Sequence, residues 1–164
     1  MQTIVHRGYC AIGIWHPKHE VNAGGLWRSA LAFGAAMCFT VGRRFKREAS
    51  DTTSAWRYMP MMNFRDLDDL KEHLPYSCLL VAVELTEEAR DLRHFCHPER
   101  ACYLLGAEDH GLRKEVLEKC NLVTQIASKL CLNVATAGSI VLYDRSRTTM
   151  YLRNENQHKE SRHT

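Results

Sequence analysis

The feature that most constrains this chain is its alternation of short apolar runs with helix-forming stretches. Residues 8–15 (GYCAIGIW), 37–42, 78–85 (CLLVAVEL), 101–105 (ACYLL) and 122–126 each have the length and apolar character of a buried strand. Between them lie an Ala- and Leu-rich stretch over 26–36 opened by Asn22-Ala-Gly-Gly, a short acidic helix over 66–73, and an amphipathic segment over 112–120. A last helix begins near Leu132 and continues through Tyr143 toward Arg153. Buried strands alternating with helices predict an α/β domain: a mainly parallel sheet with helices on both faces. In such sheets ligands bind beyond the carboxyl ends of the strands, so the residues just after each run are where chemistry is sought. Residues 43–65 show no periodicity and read as a long connection, which in a compact domain is more often functional than idle. The expected organisation is one domain over 1–153 and a polar, disordered tail over 154–164.

Composition narrows the function classes. The chain has 164 residues, 22 basic and 19 acidic side chains and a net charge of +3, too small by itself to mark a nucleic-acid binder. No apolar run reaches the length of a membrane-spanning helix, and MQTIVHRGYC has no secretory apolar segment, so a cytoplasmic, membrane-free protein is expected. The total conceals a gradient. Residues 1–60 hold 8 basic and 3 acidic side chains, whereas residues 61–130 hold 9 and 13. Arg43, Arg44, Lys46 and Arg47 supply half of that N-terminal positive charge, either as a phosphate-binding cluster or as a solvated loop. Seven irregularly spaced cysteines read as reduced, buried thiols rather than a disulfide framework. His94, Cys96, His97 and Cys102 lack a second clean ligand pair, so this stretch reads as a surface turn around Pro98 and no metal is expected.

Three strand-to-helix junctions stand out. Asn22-Ala-Gly-Gly-Leu-Trp-Arg28 places a capping residue, two glycines and an arginine at one rim; alone, it reads as an ordinary cap with a surface arginine. Leu105-Gly-Ala-Glu-Asp-His-Gly-Leu112 follows a buried strand. It lacks the Lys-Ser/Thr of a P-loop and the G-x-G-x-x-G of a dinucleotide fold, leaving a tight turn or an unusual ligand loop. The third junction, from Ile126 to Asp144, places Asn133 at the start of a helix dense in Ala, Gly, Ser and Thr, which alone reads as a close-packed core helix.

Taken in order, the three junctions resemble the motifs of the SpoU/TrmH family of RNA 2′-O-ribose methyltransferases, within the SPOUT superfamily. Asn22, Gly24 and Arg28 match N-x-G-x-x-x-R. Leu105, Gly106, Glu108, Gly111 and Leu112 match L-G-x-E-x-x-G-L, and Leu132, Asn133 and Val134 match the start of the third motif. The resemblance runs from about Gly8 to Arg145, and the chain departs from the pattern at Ala107, Ala127 and Cys131, where the family usually has Asn, Pro and Ser.

The resemblance implies an α/β domain whose C-terminal segment threads a deep trefoil knot, with S-adenosylmethionine bent against it. It implies methyl transfer to a ribose 2′-hydroxyl of RNA, with Arg28, Glu108, Asn133 and Asn22 as the catalytic set. The cofactor would be held around Val83, Gly106, Ile126, Cys131 and Leu132. Family members are homodimers, in which Arg28 and the basic loop lie near the partner subunit's pocket. Arg43, Arg44, Lys46, Arg47 and Arg57 would contact RNA, with Trp56 either stacking on a base or buried in the core. The absence of an added RNA-binding domain resembles minimal TrmL-like members and favours tRNA over ribosomal RNA. The rival readings are a non-catalytic RNA-binding module on the same fold and an α/β enzyme for a small nucleotide.

Overall fold

The computed structural model describes residues 8–43, 54–107 and 109–160; Arg44, Lys46, Arg47 and Glu108 lie outside them. Among the described residues seven strands form one sheet: β1 (Tyr9–Trp15), β2 (Met37–Val41), β3 (Met61–Phe64), β4 (Leu79–Val83), β5 (Arg90–Asp91), β6 (Arg100–Leu105) and β7 (Leu122–Gln125). Their order is β3-β2-β1-β6-β4-β7-β5, and every pairing between them is parallel. The helices are α1 (Glu20–Ala32), α2 (Leu67–Glu72), α3 (Lys114–Leu117) and α4 (Val134–Glu160). The backbone is thus helical through 154–160, the start of the segment expected to be a tail.

Period-two alternation divides the core into two layers. Ile12, Val81 and Tyr103 face Ala23, Leu26 and Ala30 of α1 and Val141 and Leu142 of α4. The intervening Ala11, Leu80 and Leu104 pack with Leu67 and Leu70 of α2 and Val116 of α3. Helices therefore cover both faces, which is why the central strands are apolar throughout instead of alternating with polar residues.

Several boundaries differ from the sequence reading, each for a physical reason. The first helix begins at Glu20 rather than in the Asn22-Gly-Gly segment, and His19 occupies its N-cap position. Asn22 lies inside its first turn and does not cap it. The helix ends at Ala32, where Phe33 serves as C-cap and Gly34 adopts a φ of +69°. A glycine in this left-handed conformation is a common helix stop. The supposed connection over 43–65 contains a 3-10 turn at Ala55–Arg57 and the edge strand β3. Asp66 caps α2 through Oδ1, which accepts from the backbone N–H of Asp68 and Asp69.

The cysteines are free, but Cys96 and Cys131 are exposed rather than buried. Among the described residues no three His, Cys, Asp or Glu side chains gather as a metal site. The surface-turn reading also fails for His97, whose side chain is 3% exposed. Its Nδ1 meets the Tyr103 hydroxyl at 2.6 Å and its Nε2 meets Asp144 Oδ2 at 3.0 Å. Burial pushes the His97 pKa below the usual value, against the opposing pull of the Asp144 carboxylate. Among the described residues no helix is long and apolar enough to cross a membrane.

Candidate active site

The parallel strands all end on one edge of the sheet, and the loops leaving β4, β6 and β7 enclose a cleft of about 330 Å³ there. Val83 closes β4, Gly106 follows β6, and Ile126 follows β7; with Cys131 and Leu132 they line this cleft. All five residues expected to hold the cofactor are thus brought together. The walls are apolar where Val83, Leu105, Ile126 and Val134 contribute, and the rim carries Asp109 and His110. Cys131 presents an exposed, free thiol.

The loop after β6 is a tight turn closed on itself. Ala107 and Gly111 form an antiparallel bridge, with the Gly111 N–H donating to the Ala107 carbonyl at 3.0 Å. Gly106 has no room for a Cβ, which would strike the backbone of Gly111. Gly111 itself has a φ of +55°, and its missing Cβ leaves the space that the Glu84 carboxylate fills. Both glycines of the second motif therefore serve backbone geometry.

Glu84 is a lining residue outside the expected set, because it ends an apolar run and passes for the close of a strand. Its Oε2 accepts from the Leu112 N–H at 2.6 Å and its Oε1 from the Leu85 N–H at 3.0 Å. A charged residue at the carboxyl end of a buried parallel strand is the signal that points to it. Lys18, in the loop after β1, forms an ion pair with Asp109 and so ties that loop to the turn after β6.

The first and third motifs meet where α1 packs on α4. Asn133 Nδ2 donates to Asn22 Oδ1 at 2.7 Å. Asn133 Oδ1 in turn accepts from the N–H of Ala135 at 2.9 Å and of Thr136 at 3.3 Å, capping α4. Small residues let the helices approach: the position of a Gly25 Cβ lies 3.2 Å from Ala135 Cβ, and a Cβ on Gly138 would collide with Leu26. The Ser29 and Ser139 hydroxyls lie 2.7 Å apart across the same seam. Replacing Asn133 with Ala removes the cap and the bridge to Asn22 together, for an expected loss of about 1–2 kcal/mol. Thermal unfolding of N133A checks this as a fall of roughly 2–8 °C in Tm.

Other site residues stand apart from the cleft. Arg28 is exposed on α1 and is not part of the cleft lining. Arg43 is exposed just after β2, where its carbonyl accepts from Asn63 Nδ2 at 3.0 Å. Arg57 stacks over the Trp56 ring at 5.1 Å, and Trp56 is 38% exposed, so this aromatic is not a core residue.

Fold and site together define an α/β domain with a ligand cleft at the carboxyl edge of its parallel sheet, flanked by three ordered motifs. The chain belongs to the SpoU rRNA Methylase family, whose model matches residues 10–143. It is 27% identical over 156 residues to a tRNA (guanosine(18)-2′-O)-methyltransferase of Escherichia coli K12, covering 89% of this chain and 67% of that protein. Its fold is similar to that of an AdoMet-bound rRNA methyltransferase from Sinorhizobium meliloti, with a TM-score of 0.78 and 21% identity. That match covers 88% of this chain but only 59% of the Sinorhizobium chain. The A. aeolicus TrmH/SpoU tRNA modifying enzyme matches with a TM-score of 0.76 and 20% identity, over 87% of this chain and 76% of that one. This likeness of fold is in keeping with the threaded C-terminal segment that the family resemblance implies.

Proposed function

We propose that this protein transfers a methyl group from S-adenosylmethionine to a ribose 2′-hydroxyl of RNA, with tRNA as the favoured substrate. The observation that carries this reading is the convergence of all three motifs on one region: the second and third motifs contribute to the cleft, and the first is bonded to the third through Asn22 and Asn133. The cleft also suits the cofactor chemically. Apolar walls accept a flat adenine, and the Glu84 carboxylate matches a ligand of positive charge. The resemblance of the chain to a tRNA methyltransferase over 89% of its length supports tRNA. Ribosomal RNA is the second reading, favoured by the description of the matching family.

S-adenosylmethionine, when bound, supplies a methyl group already activated by its sulfonium. The residues of the chain then have to place the hydroxyl in line and ease the loss of its proton. Arg28 is suited to orienting an RNA phosphate and stabilising the developing alkoxide. It is a poor general base, because a guanidinium stays protonated below a pH of about 12. Asn133 fixes the start of α4 beside the cleft and Asn22 links that start to α1, so the two amides hold the element bearing Arg28 in register with the pocket. Glu108, Arg44, Lys46 and Arg47 complete the proposed set outside the described residues.

A homodimer suits this arrangement. Arg28 stands away from the cleft of its own chain, while Val21 on α1 and Tyr143 on α4 are 72% and 58% exposed. A second copy seated on these helices would cover apolar surface and bring its own Arg28 to the cleft. RNA binding by Arg43, Arg57 and the stacked Trp56 predicts a binding constant whose logarithm falls linearly with the logarithm of salt concentration. Filter binding at graded salt checks this, and R57A combined with R43A should lower the slope by about 2. The assignment of substrate is tested by nucleoside analysis of tRNA and rRNA fractions from cells lacking the protein. Loss of one 2′-O-methylnucleoside from tRNA supports the favoured reading, loss from rRNA supports the second, and unchanged fractions overturn both.

A further inference from the structure

Among the described residues, the charge of the cleft comes from side chains at no fixed position of the three motifs. Its described lining includes two carboxylates, Glu84 and Asp109, and no Lys or Arg. Asp109 is ion-paired with Lys18, so its charge is largely offset. Glu84 has no basic partner among the described residues. Its two oxygens are held by the N–H groups of Leu85 and Leu112, and it fills the space beside Gly111. Backbone amides fix a carboxylate in place without cancelling its full charge. Among the described residues the result is one unpaired carboxylate, oriented by backbone amides, on a wall to which Val83, Leu105, Ile126 and Val134 contribute apolar surface.

We propose that Glu84 is a specificity-determining residue whose charge makes the cleft favour a cationic cofactor over its neutral product. This inference rests on the methyl-transfer reading. In that reaction the bound sulfonium becomes an uncharged thioether, so a fixed anion in the cleft attracts the reactant but not the product. The preference would aid release of the product after each turnover. A second, separable role follows from geometry: by accepting from Leu112, Glu84 positions the turn over 106–111 that closes one side of the cleft.

The two roles give different results in Glu84→Gln. The amide retains one acceptor oxygen and nearly the same shape but removes the charge. A purely structural role would weaken the charged and neutral ligands alike, whereas a charge role changes their ratio. The experiment is calorimetric titration of the full-length wild type and E84Q with S-adenosylmethionine, S-adenosylhomocysteine and sinefungin, whose amine supplies a positive charge in place of the sulfonium. Unfolding curves recorded without ligand establish that both proteins are folded. The expected result is that E84Q loses about 3- to 30-fold more affinity for the two cationic ligands than for S-adenosylhomocysteine. If the variant is folded and the three affinities shift by a common factor, or not at all, the charge role is overturned. If wild-type protein binds none of the three ligands, it is the methyl-transfer reading that fails.

Discussion

Replacing Arg28 with alanine should reduce methyl transfer by about 100- to 1,000-fold while leaving S-adenosylmethionine affinity within about twofold. The magnitude is that of losing one preorganised charged donor at a developing oxyanion, the role proposed for Arg28. The selectivity follows from the proposed role: Arg28 is exposed on α1 and outside the cleft lining of its own chain, and in the proposed dimer it faces the RNA rather than holding the cofactor. Arg28→Lys should recover only part of the rate, because an ammonium keeps the charge but lacks the planar fork that grips a phosphate. Single-turnover rates alongside calorimetry check the split. Near-normal turnover in folded R28A would remove Arg28 from the catalytic set.

The largest expected stability effect lies at the opposite edge of the sheet. Arg145 on α4 is only 4% exposed and donates to the carbonyls of Pro98 at 2.6 Å, Glu99 at 2.8 Å and Tyr9 at 3.3 Å. It also donates to the Tyr103 hydroxyl at 3.2 Å. These contacts fasten the middle of α4 to the amino-terminal ends of β1 and β6. Arg145→Ala removes four hydrogen bonds from a charged, buried donor and opens a cavity, for an expected loss of about 3–5 kcal/mol. For a chain of this size that corresponds to a fall in Tm of roughly 6–20 °C. Because the site lies at the other end of the strands, cofactor affinity measured well below Tm should change little. Thermal unfolding with calorimetry at low temperature separates these effects.

The sequence reveals the apolar centre of the sheet and conceals its edges. β1, β2, β4, β6 and β7 are visible because helices cover both their faces and make them continuous apolar runs. β3 escapes notice because Met62 and Asn63 are exposed at an edge, with Phe64 its buried anchor. β5 has two residues and too little pattern to detect. Charge patterning does not forecast the burial of Arg145 and His97, since their partners are largely backbone carbonyls and residues distant in sequence.

The candidate site divides in the same way. Gly106, Ile126 and Leu132 are legible because motif and strand-end position coincide, and the structure places them in one cleft. The bond between Asn22 and Asn133 spans 111 positions and needs the packed helices to be seen. Asn22 looked like a cap because Asn commonly caps helices, yet its amide is spent on the contact between helices. Glu84 belongs to no motif, and only the tertiary turn around Gly111 gives its carboxylate a place.

Ribose methylation by this domain can be read out by incubating the purified protein with unmodified tRNA and S-adenosylmethionine, digesting the RNA to nucleosides and locating the new methyl group by mass spectrometry. The expected product is a 2′-O-methylated nucleoside, with the added mass on the ribose fragment, and it should disappear in R28A. A methyl group on a base, or no methylated product from folded protein that binds both cofactor and tRNA, would contradict ribose methylation.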